Sequence, residues 1–303
     1  MRPFPAFLGV REPRLSGVWL CLALAQACAP SASPHGTESP SPPVKSLSAQ
    51  EKPLHAAEPA PATESPAAPP NTAASASTAP SDALKPEAPP PSLPPGIVPG
   101  EVVKLSVPGD KPVLVAHAAA SVRLAAIYLH GVCGDIDAIR SWANAASEHV
   151  TLIALYADER CGSGGRHRWT ANTIAQERRI EAALAAVKQA RGGQLDSERA
   201  VLFGYSQGAL RALALHTNTP KRYPWLILGG LPTETPASRV SGVQRLALIA
   251  GEREAKSHIE ATAQHFAQGG VDSKLFLLPR AGHGQYGPEA PQVMSGVFAW
   301  LLE

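Results

Sequence analysis

Short apolar runs alternate with segments of helical periodicity from residue 101 to residue 303. Runs such as Leu124–Leu129 and Leu246–Ala250 are apolar throughout, which is typical of strands buried on both faces of a sheet. The alternation predicts an α/β fold, with a mostly parallel sheet and helices on both faces. Residues 231–244 are too few for a cap domain, so we expect any active-site cleft to be open. Further strands are predicted at Val113–Val115, Thr151–Tyr156, Ala200–Phe203, Trp225–Leu228 and Lys274–Leu278.

The stretch before this domain has a different composition. Residues 30–100 hold 19 of the 31 prolines and contain no Phe, Trp or Tyr. Such a segment cannot bury enough apolar area to offset chain entropy, so we expect a disordered linker over residues 28–100 and one folded domain over residues 101–303. Lys plus Arg number 27 and Asp plus Glu 25, and this near balance argues against nucleic acid as a partner.

The first 27 residues have the features of an export signal. Three arginines precede the apolar run Leu15–Ala27, which is too short to span a bilayer. Cys28 follows, and here the segment resembles a bacterial lipoprotein signal. The resemblance implies cleavage before Cys28, lipidation of its thiol and a periplasmic or outer-membrane lipoprotein held to the membrane by that anchor. A soluble periplasmic or secreted protein is the alternative.

The pentapeptide Gly204-Tyr205-Ser206-Gln207-Gly208 joins a predicted strand to a helical segment. A serine at such a bend holds its hydroxyl clear of the sheet, and the positive end of the helix favours a nearby oxyanion. We therefore predict Ser206 as a nucleophile. Here the domain resembles the α/β-hydrolase family, most of all its phospholipase/carboxylesterase and acyl-thioesterase branch. The resemblance implies hydrolysis of carboxylic esters or thioesters, with no cofactor. The Cys and His spacings suggest no metal site.

The same resemblance implies that an acid and then a histidine follow the serine along the chain. His283 lies between two glycines after the last predicted strand and is expected to be the general base. The acid is expected after the preceding strand, at Glu254, with Glu252 and Glu234 as alternatives. No Asp occurs at that turn, which is a departure from the family pattern.

The segment from Tyr128 to Asp135 resembles the family's His-Gly loop. The resemblance implies that the backbone N–H groups of Val132 and Gln207 bind the oxyanion, with Cys133 as an alternative to Val132. We expect His130 to order this loop by hydrogen bonding rather than to transfer protons.

Cys133 and Cys161 follow strands that are neighbours in this fold, so their loops should lie on one rim of the sheet. A disulfide between them is expected in an oxidising compartment, and two buried free thiols are the alternative. Between Cys161 and Trp169 the chain is rich in glycine. It either lines the cleft, with Arg166, Arg168 and Trp169 near the substrate, or forms a surface loop.

These patterns together predict a monomeric serine hydrolase that acts on a small-molecule or lipid ester. Two other functions stay open. One is a peptidase of the same fold, and the other is a non-catalytic lipoprotein that uses its cleft only for binding.

Overall fold

The computed structural model describes residues 92–162 and 164–303. The expected signal peptide, the expected lipidation site Cys28 and the linker up to residue 91 lie outside the described residues. The last linker residues contact the domain. Gln194 Nε2 donates to the backbone oxygen of Ser92 at 2.8 Å, and the N–H of Gly100 donates to the oxygen of His117 at 2.9 Å. Residues 92–100 therefore pack against the domain.

Strands make up the centre of the described chain. They are β1 Val102–Leu105, β2 Val113–Ala116, β3 Ala125–Leu129, β4 Thr151–Leu155, β5 Glu159–Cys161, β6 Arg166–Arg168, β7 Ala200–Tyr205, β8 Trp225–Gly229, β9 Arg245–Gly251 and β10 Ser273–Leu278. One sheet has eight of them, in the order β1-β2-β4-β3-β7-β8-β9-β10, and β5 and β6 form a separate hairpin. β1 pairs antiparallel with β2, and β2 with β4, whereas the remaining pairs of the large sheet are parallel. The prediction of a mostly parallel sheet is confirmed.

Helices cover both faces of this sheet, as the alternation predicts. They are α1 Ala143–Ala146, α2 Thr173–Ala190, α3 Gln207–Asn218, α4 Ser257–Gln268 and α5 Ala290–Leu302. The buried side chains of α2, α3 and α4 share one apolar cluster with one face of the sheet, and those of α1 and α5 share a second cluster with the other face. Among the described helices, none is both long and apolar enough to cross a membrane.

The segment after β3 differs from what its sequence pattern predicts. Helical spacing from Ile136 to Ala146 predicts one helix, but the structure has a 3-10 helix at Ile136–Ser141 and then the single turn α1. Trp142 separates the two, with a non-helical φ of −138°. Its buried ring packs against Tyr128 at 5.8 Å and Tyr286 at 5.4 Å between ring centres. The spacing of apolar residues alone does not predict that a buried tryptophan interrupts the helix.

The parallel strands place the candidate site. Their carboxyl ends meet at one edge of the sheet, where ligands bind in open α/β sheets. The His-Gly loop follows β3, Ser206 follows β7, Glu254 follows β9 and His283 follows β10. Between β8 and β9 the only regular element is a 3-10 helix at Ala237–Val240, which agrees with the expected lack of a cap domain.

Candidate active site

Ser206 occupies the sharp turn between β7 and α3. Its φ of 55° and ψ of −117° lie in a region that residues with a side chain rarely adopt. The flanking glycines permit this turn. A Cβ on Gly204 would lie 2.2 Å from the oxygen of Gly208, and a Cβ on Gly208 would lie 1.9 Å from the oxygen of Leu129. The strand, the turn and the helix can therefore approach one another only with glycine at these two positions.

Ser206, His283 and Glu254 form a continuous chain of hydrogen bonds. His283 Nε2 lies 3.0 Å from Ser206 Oγ, and His283 Nδ1 lies 2.6 Å from Glu254 Oε2. Glu254 Oε1 accepts from the N–H of Gly251 at 2.6 Å. A carboxylate can only accept, so the neutral imidazole carries its hydrogen on Nδ1. Nε2 is then left to accept the proton of the serine hydroxyl.

The two titratable partners of this chain differ in exposure. The Glu254 side chain is 3% exposed and that of His283 is 52% exposed. Both carboxylate oxygens of Glu254 are bonded, so its orientation is fixed from within the protein. The imidazole, in contrast, has one side in contact with solvent, where a leaving group could depart.

The structure brings only one of the three candidate acids to the histidine. Glu252 is exposed, and its Oε2 accepts from the backbone N–H of Arg280 at 2.7 Å. Glu234 is exposed on the segment after β8. Glu254 is thus the acid in contact with His283.

Tyr205 supports the segment after β10 that carries His283, called here the histidine loop. Sequence reasoning missed this role of Tyr205. Its ring centre lies 5.5 Å from that of His283, and its hydroxyl accepts from the N–H of Gly284 at 3.2 Å. Burial, together with the nearby Glu254 carboxylate, raises the pKa of Tyr205, so the hydroxyl stays protonated. The only sequence signal for this role is the position of Tyr205 directly before the serine.

His130 holds the loop after β3. Its Nδ1 lies 2.7 Å from the oxygen of Gly131, and its Nε2 accepts from the N–H of Ala157 at 3.1 Å. The hydrogen is therefore on Nδ1, which donates to Gly131. The N–H of Gly134 donates to the same oxygen at 3.0 Å. Burial lowers the pKa of His130, which keeps the ring neutral in this role.

Gln207 and Trp169 connect the serine turn to the segment after β6. The backbone N–H of Trp169 donates to Gln207 Oε1 at 2.9 Å, and Gln207 Nε2 donates to the oxygen of Trp169 at 3.1 Å. The buried indole Nε1 of Trp169 donates to the oxygen of His130 at 2.8 Å. Trp169 thus links the serine turn to the His130 loop.

Two backbone N–H groups were expected to bind an oxyanion, that of Val132 after β3 and that of Gln207 at the start of α3. Among the described residues, the N–H groups of Val132 and Gln207 donate no hydrogen bond to protein. Val132 lines a cavity of about 250 Å³ beside Ser206 and His283, whereas Cys133 does not line it. Of the two residues considered for the oxyanion donor after β3, Val132 is thus the one that lines the cavity.

Cys133 and Cys161 stand at disulfide distance, with their sulfur atoms 2.14 Å apart. The bond joins the loop after β3 to the first strand of the hairpin. The cleft interpretation of the glycine-rich segment needs correction, because Arg166, Arg168 and buried Trp169 are not among the cavity-lining residues of the described chain. The segment lies at the surface, as the alternative has it, and forms the end of the hairpin β5–β6. In the part of the chain that the structure describes, no cluster of His, Cys, Asp and Glu could hold a metal ion.

Of the comparisons with known proteins, only the search of solved structures found similar proteins. No protein-family model matches the sequence, and no curated protein matches it either. Among solved structures, esterase PE8 is 19% identical with a TM-score of 0.48, and the match covers 66% of this chain and 100% of that chain. A Xanthomonas campestris protein, XC6422, described as an a/b serine hydrolase without lid, is 19% identical with a TM-score of 0.42, over 71% and 99% of the two chains. TT1662 from Thermus thermophilus is 18% identical with a TM-score of 0.46, over 67% and 98%.

At this level of similarity, the activities of these proteins cannot be assigned to this chain. The sheet itself defines the class. A mostly parallel sheet in which one strand near an edge, β2, runs antiparallel to the others, with helices on both faces and a serine at a turn after a middle strand, is the α/β-hydrolase fold.

Proposed function

We propose that this domain is a serine hydrolase that cleaves carboxylic esters or thioesters through an acyl-enzyme. One observation carries the proposal: His283 lies in hydrogen-bonding reach of Ser206 on one ring nitrogen and of Glu254 on the other, at 3.0 and 2.6 Å. A nucleophile, a base within reach of it and a third group that orients the base are the parts that nucleophilic acyl transfer requires.

In the first half of the reaction, Ser206 Oγ attacks the acyl carbon while His283 Nε2 takes the hydroxyl proton. Glu254 keeps the ring hydrogen on Nδ1 and stabilises the positive charge that the ring gains. The carbonyl oxygen becomes negative, and the N–H groups of Val132 and Gln207 donate to it at the amino end of α3. The bond from carbon to the leaving oxygen or sulfur then breaks, and that atom takes the proton from Nε2.

The second half returns the enzyme to its starting state. Water attacks the acyl-enzyme and gives its proton to His283 Nε2. When the bond to Ser206 Oγ breaks, the serine takes that proton back, and the carboxylic acid leaves. No cofactor enters either half, because every proton moves between substrate, water, Ser206 and His283.

The direct test is covalent labelling with a fluorophosphonate probe, followed by mass spectrometry of the labelled peptide. We expect labelling on Ser206, its loss in Ser206→Ala, and normal labelling in the matched control Ser238→Ala, which removes an exposed serine away from the site. A wild-type protein that is folded and stays unlabelled would support the non-catalytic alternative.

The reaction class needs a second assay. We expect the wild type to hydrolyse a p-nitrophenyl ester and an S-aryl thioester, with neither activity in Ser206→Ala. Cleavage of short peptides at a higher kcat/KM than the esters would favour the peptidase alternative instead.

We also propose that Cys28 carries a lipid that holds the domain to the cell envelope. The proposal rests on the sequence before the described residues. After expression in a bacterium, labelled palmitate and the membrane fraction should both contain the wild-type protein, and Cys28→Ser should appear in neither. Equal labelling of the two proteins would exclude Cys28 as the site.

A further inference from the structure

The cavity beside Ser206 contains a pair of buried tyrosines. Tyr128 on β3 and Tyr286 after β10 both line it, and their hydroxyl oxygens are hydrogen-bonded to each other at 3.0 Å. Tyr128 is 2% exposed and Tyr286 is 6% exposed. The cavity is also lined by Ala138 and by Tyr205, whose ring centre lies 5.7 Å from that of Tyr286, and by the polar side chains of His130, Asp135, Ser206 and His283.

A count of hydrogens shows what the pair lacks. Two hydroxyl groups have two hydrogens, and the bond between Tyr286 and Tyr128 uses one of them. Among the described residues, neither hydroxyl has a further hydrogen-bond partner. Burial raises the pKa of Tyr128 to about 12 and also raises the pKa of Tyr286, so both groups stay protonated at neutral pH. One buried hydroxyl hydrogen is therefore left without a protein acceptor.

Such a donor favours one kind of occupant. Leaving a buried donor unpaired costs roughly 1–3 kcal/mol, so an occupant that offers an acceptor gains over one that does not. The cavity volume of about 250 Å³ lies below the roughly 300–1,000 Å³ of pockets for drug-sized ligands, so the occupant should be short.

We infer that the Tyr128–Tyr286 pair selects esters that carry a second oxygen, an ether, hydroxyl or carbonyl, in the short group that occupies the cavity. The inference rests on the proposed function and narrows its substrate class. The oxygen-bearing group can belong to the acyl side or to the alcohol side of the ester, because the cavity is lined both by the loop after β3 and by the histidine loop.

Two pairs of esters distinguish the acyl side from the alcohol side, and the two esters within each pair have chains of equal length. On the acyl side, p-nitrophenyl methoxyacetate is compared with p-nitrophenyl butanoate. On the alcohol side, 2-methoxyethyl acetate is compared with butyl acetate. The kcat/KM ratio within each pair is measured for the wild type and for Tyr128→Phe/Tyr286→Phe. Dividing one ratio by the other cancels the intrinsic reactivity of the substrates.

We expect the preference for the oxygen-bearing ester to fall about five- to tenfold in the double variant, for one of the two pairs. The kcat/KM for the unsubstituted ester of that pair should change much less. Either single variant keeps one hydroxyl that can donate, so each should retain most of the preference. A purely structural role of the pair would lower all the rates together and leave both ratios unchanged.

The control is Tyr223→Phe, which removes a buried tyrosine hydroxyl that bonds Glu177 away from the cavity. It should leave both ratios at the wild-type value. If the double variant does not fold, Ser206→Ala keeps both tyrosines and reports binding, and Kd for the oxygen-bearing ester should be at least fivefold lower in one pair.

Unchanged ratios in a folded double variant, or equal Kd values within both pairs for Ser206→Ala, would overturn the inference while leaving the hydrolase proposal intact. A wild-type protein that is not labelled by fluorophosphonate and cleaves none of the four esters would contradict both the inference and the hydrolase proposal.

Discussion

Gln207 forms two hydrogen bonds with the backbone of Trp169, one through each polar atom of its side-chain amide, at 2.9 and 3.1 Å. Its backbone N–H, at the start of α3 next to Ser206, meanwhile has no acceptor among the residues that the structure describes. The side chain therefore fixes the position of the donor that belongs to the same residue.

The first prediction concerns this clamp. Gln207→Ala keeps the backbone N–H but removes both bonds to Trp169, so the donor should lose its fixed position. We expect kcat for a p-nitrophenyl ester to fall about tenfold with KM nearly unchanged, because the loss acts on the oxyanion. Steady-state kinetics and a thermal unfolding curve check this. A kcat equal to that of the wild type would show that the clamp has no part in positioning.

A second prediction separates the two neighbouring acids. Glu254→Gln should lower kcat about 10³-fold or more, because an amide cannot accept from both Gly251 and His283 as the carboxylate does. Glu252→Gln should stay within about threefold of the wild type, since an amide oxygen can still accept from the Arg280 N–H. The two variants are assayed side by side on one ester. Similar losses in both would contradict the assignment of Glu254.

The third prediction concerns the bond between Cys133 and Cys161. It closes a loop with a sequence separation of 28, for which chain entropy gives roughly 3.5 kcal/mol of stabilisation. Cys133→Ser/Cys161→Ser should unfold at lower urea concentration and lose activity, because Val132, the proposed oxyanion donor, lies on the freed loop. Treatment with dithiothreitol should reproduce both effects in the wild type and change nothing in the variant. Full activity of the variant would mean that His130 alone is sufficient to hold the loop.

A fourth prediction follows from His117. Burial, with the Arg191 guanidinium nearby, lowers the pKa of this histidine to about 4 from 6.5. The folded protein thus binds a proton at His117 less well than the unfolded chain does. The contribution of this group to the free energy of unfolding is therefore fully present above pH 6.5 and is lost as the pH falls toward 4. Between pH 7.5 and pH 5 the loss from this group should be about 2 kcal/mol.

Urea unfolding at these two pH values tests the prediction. His117→Asn should show a smaller difference between them than the wild type, and His265→Asn, which removes an exposed histidine on α4, should match the wild type. Some pH dependence should remain in every variant, because burial also lowers the pKa values of His130 and His167. An unchanged difference in His117→Asn would contradict the prediction.

Much of the fold could be predicted because buried strands and amphipathic helices leave local patterns. The strand before Ser206 and the helix after it are apolar at the spacings that their burial requires, and the glycines at positions 204 and 208 mark the turn between them. The order of these elements along the chain then brings their carboxyl ends to one edge of the sheet.

The contacts that were not predicted are long-range and depend on single side chains. Trp169 reaches His130 across 39 positions, and Tyr286 reaches Tyr128 across 158. Neither partner shows any periodicity that points to the other. The hairpin β5–β6 was missed for a related reason, since its strands are only three residues long and largely exposed.

The segment between β8 and β9 has a kinetic consequence. Residues 230–244 include one short 3-10 helix, and half of the His283 side chain is in contact with solvent. An ester can then reach the serine without a preceding opening step, so initial rates should follow a simple hyperbola in substrate concentration. Emulsified substrate should bring neither a lag nor the jump in rate that lipid–water interfaces produce in enzymes that must first uncover their active sites.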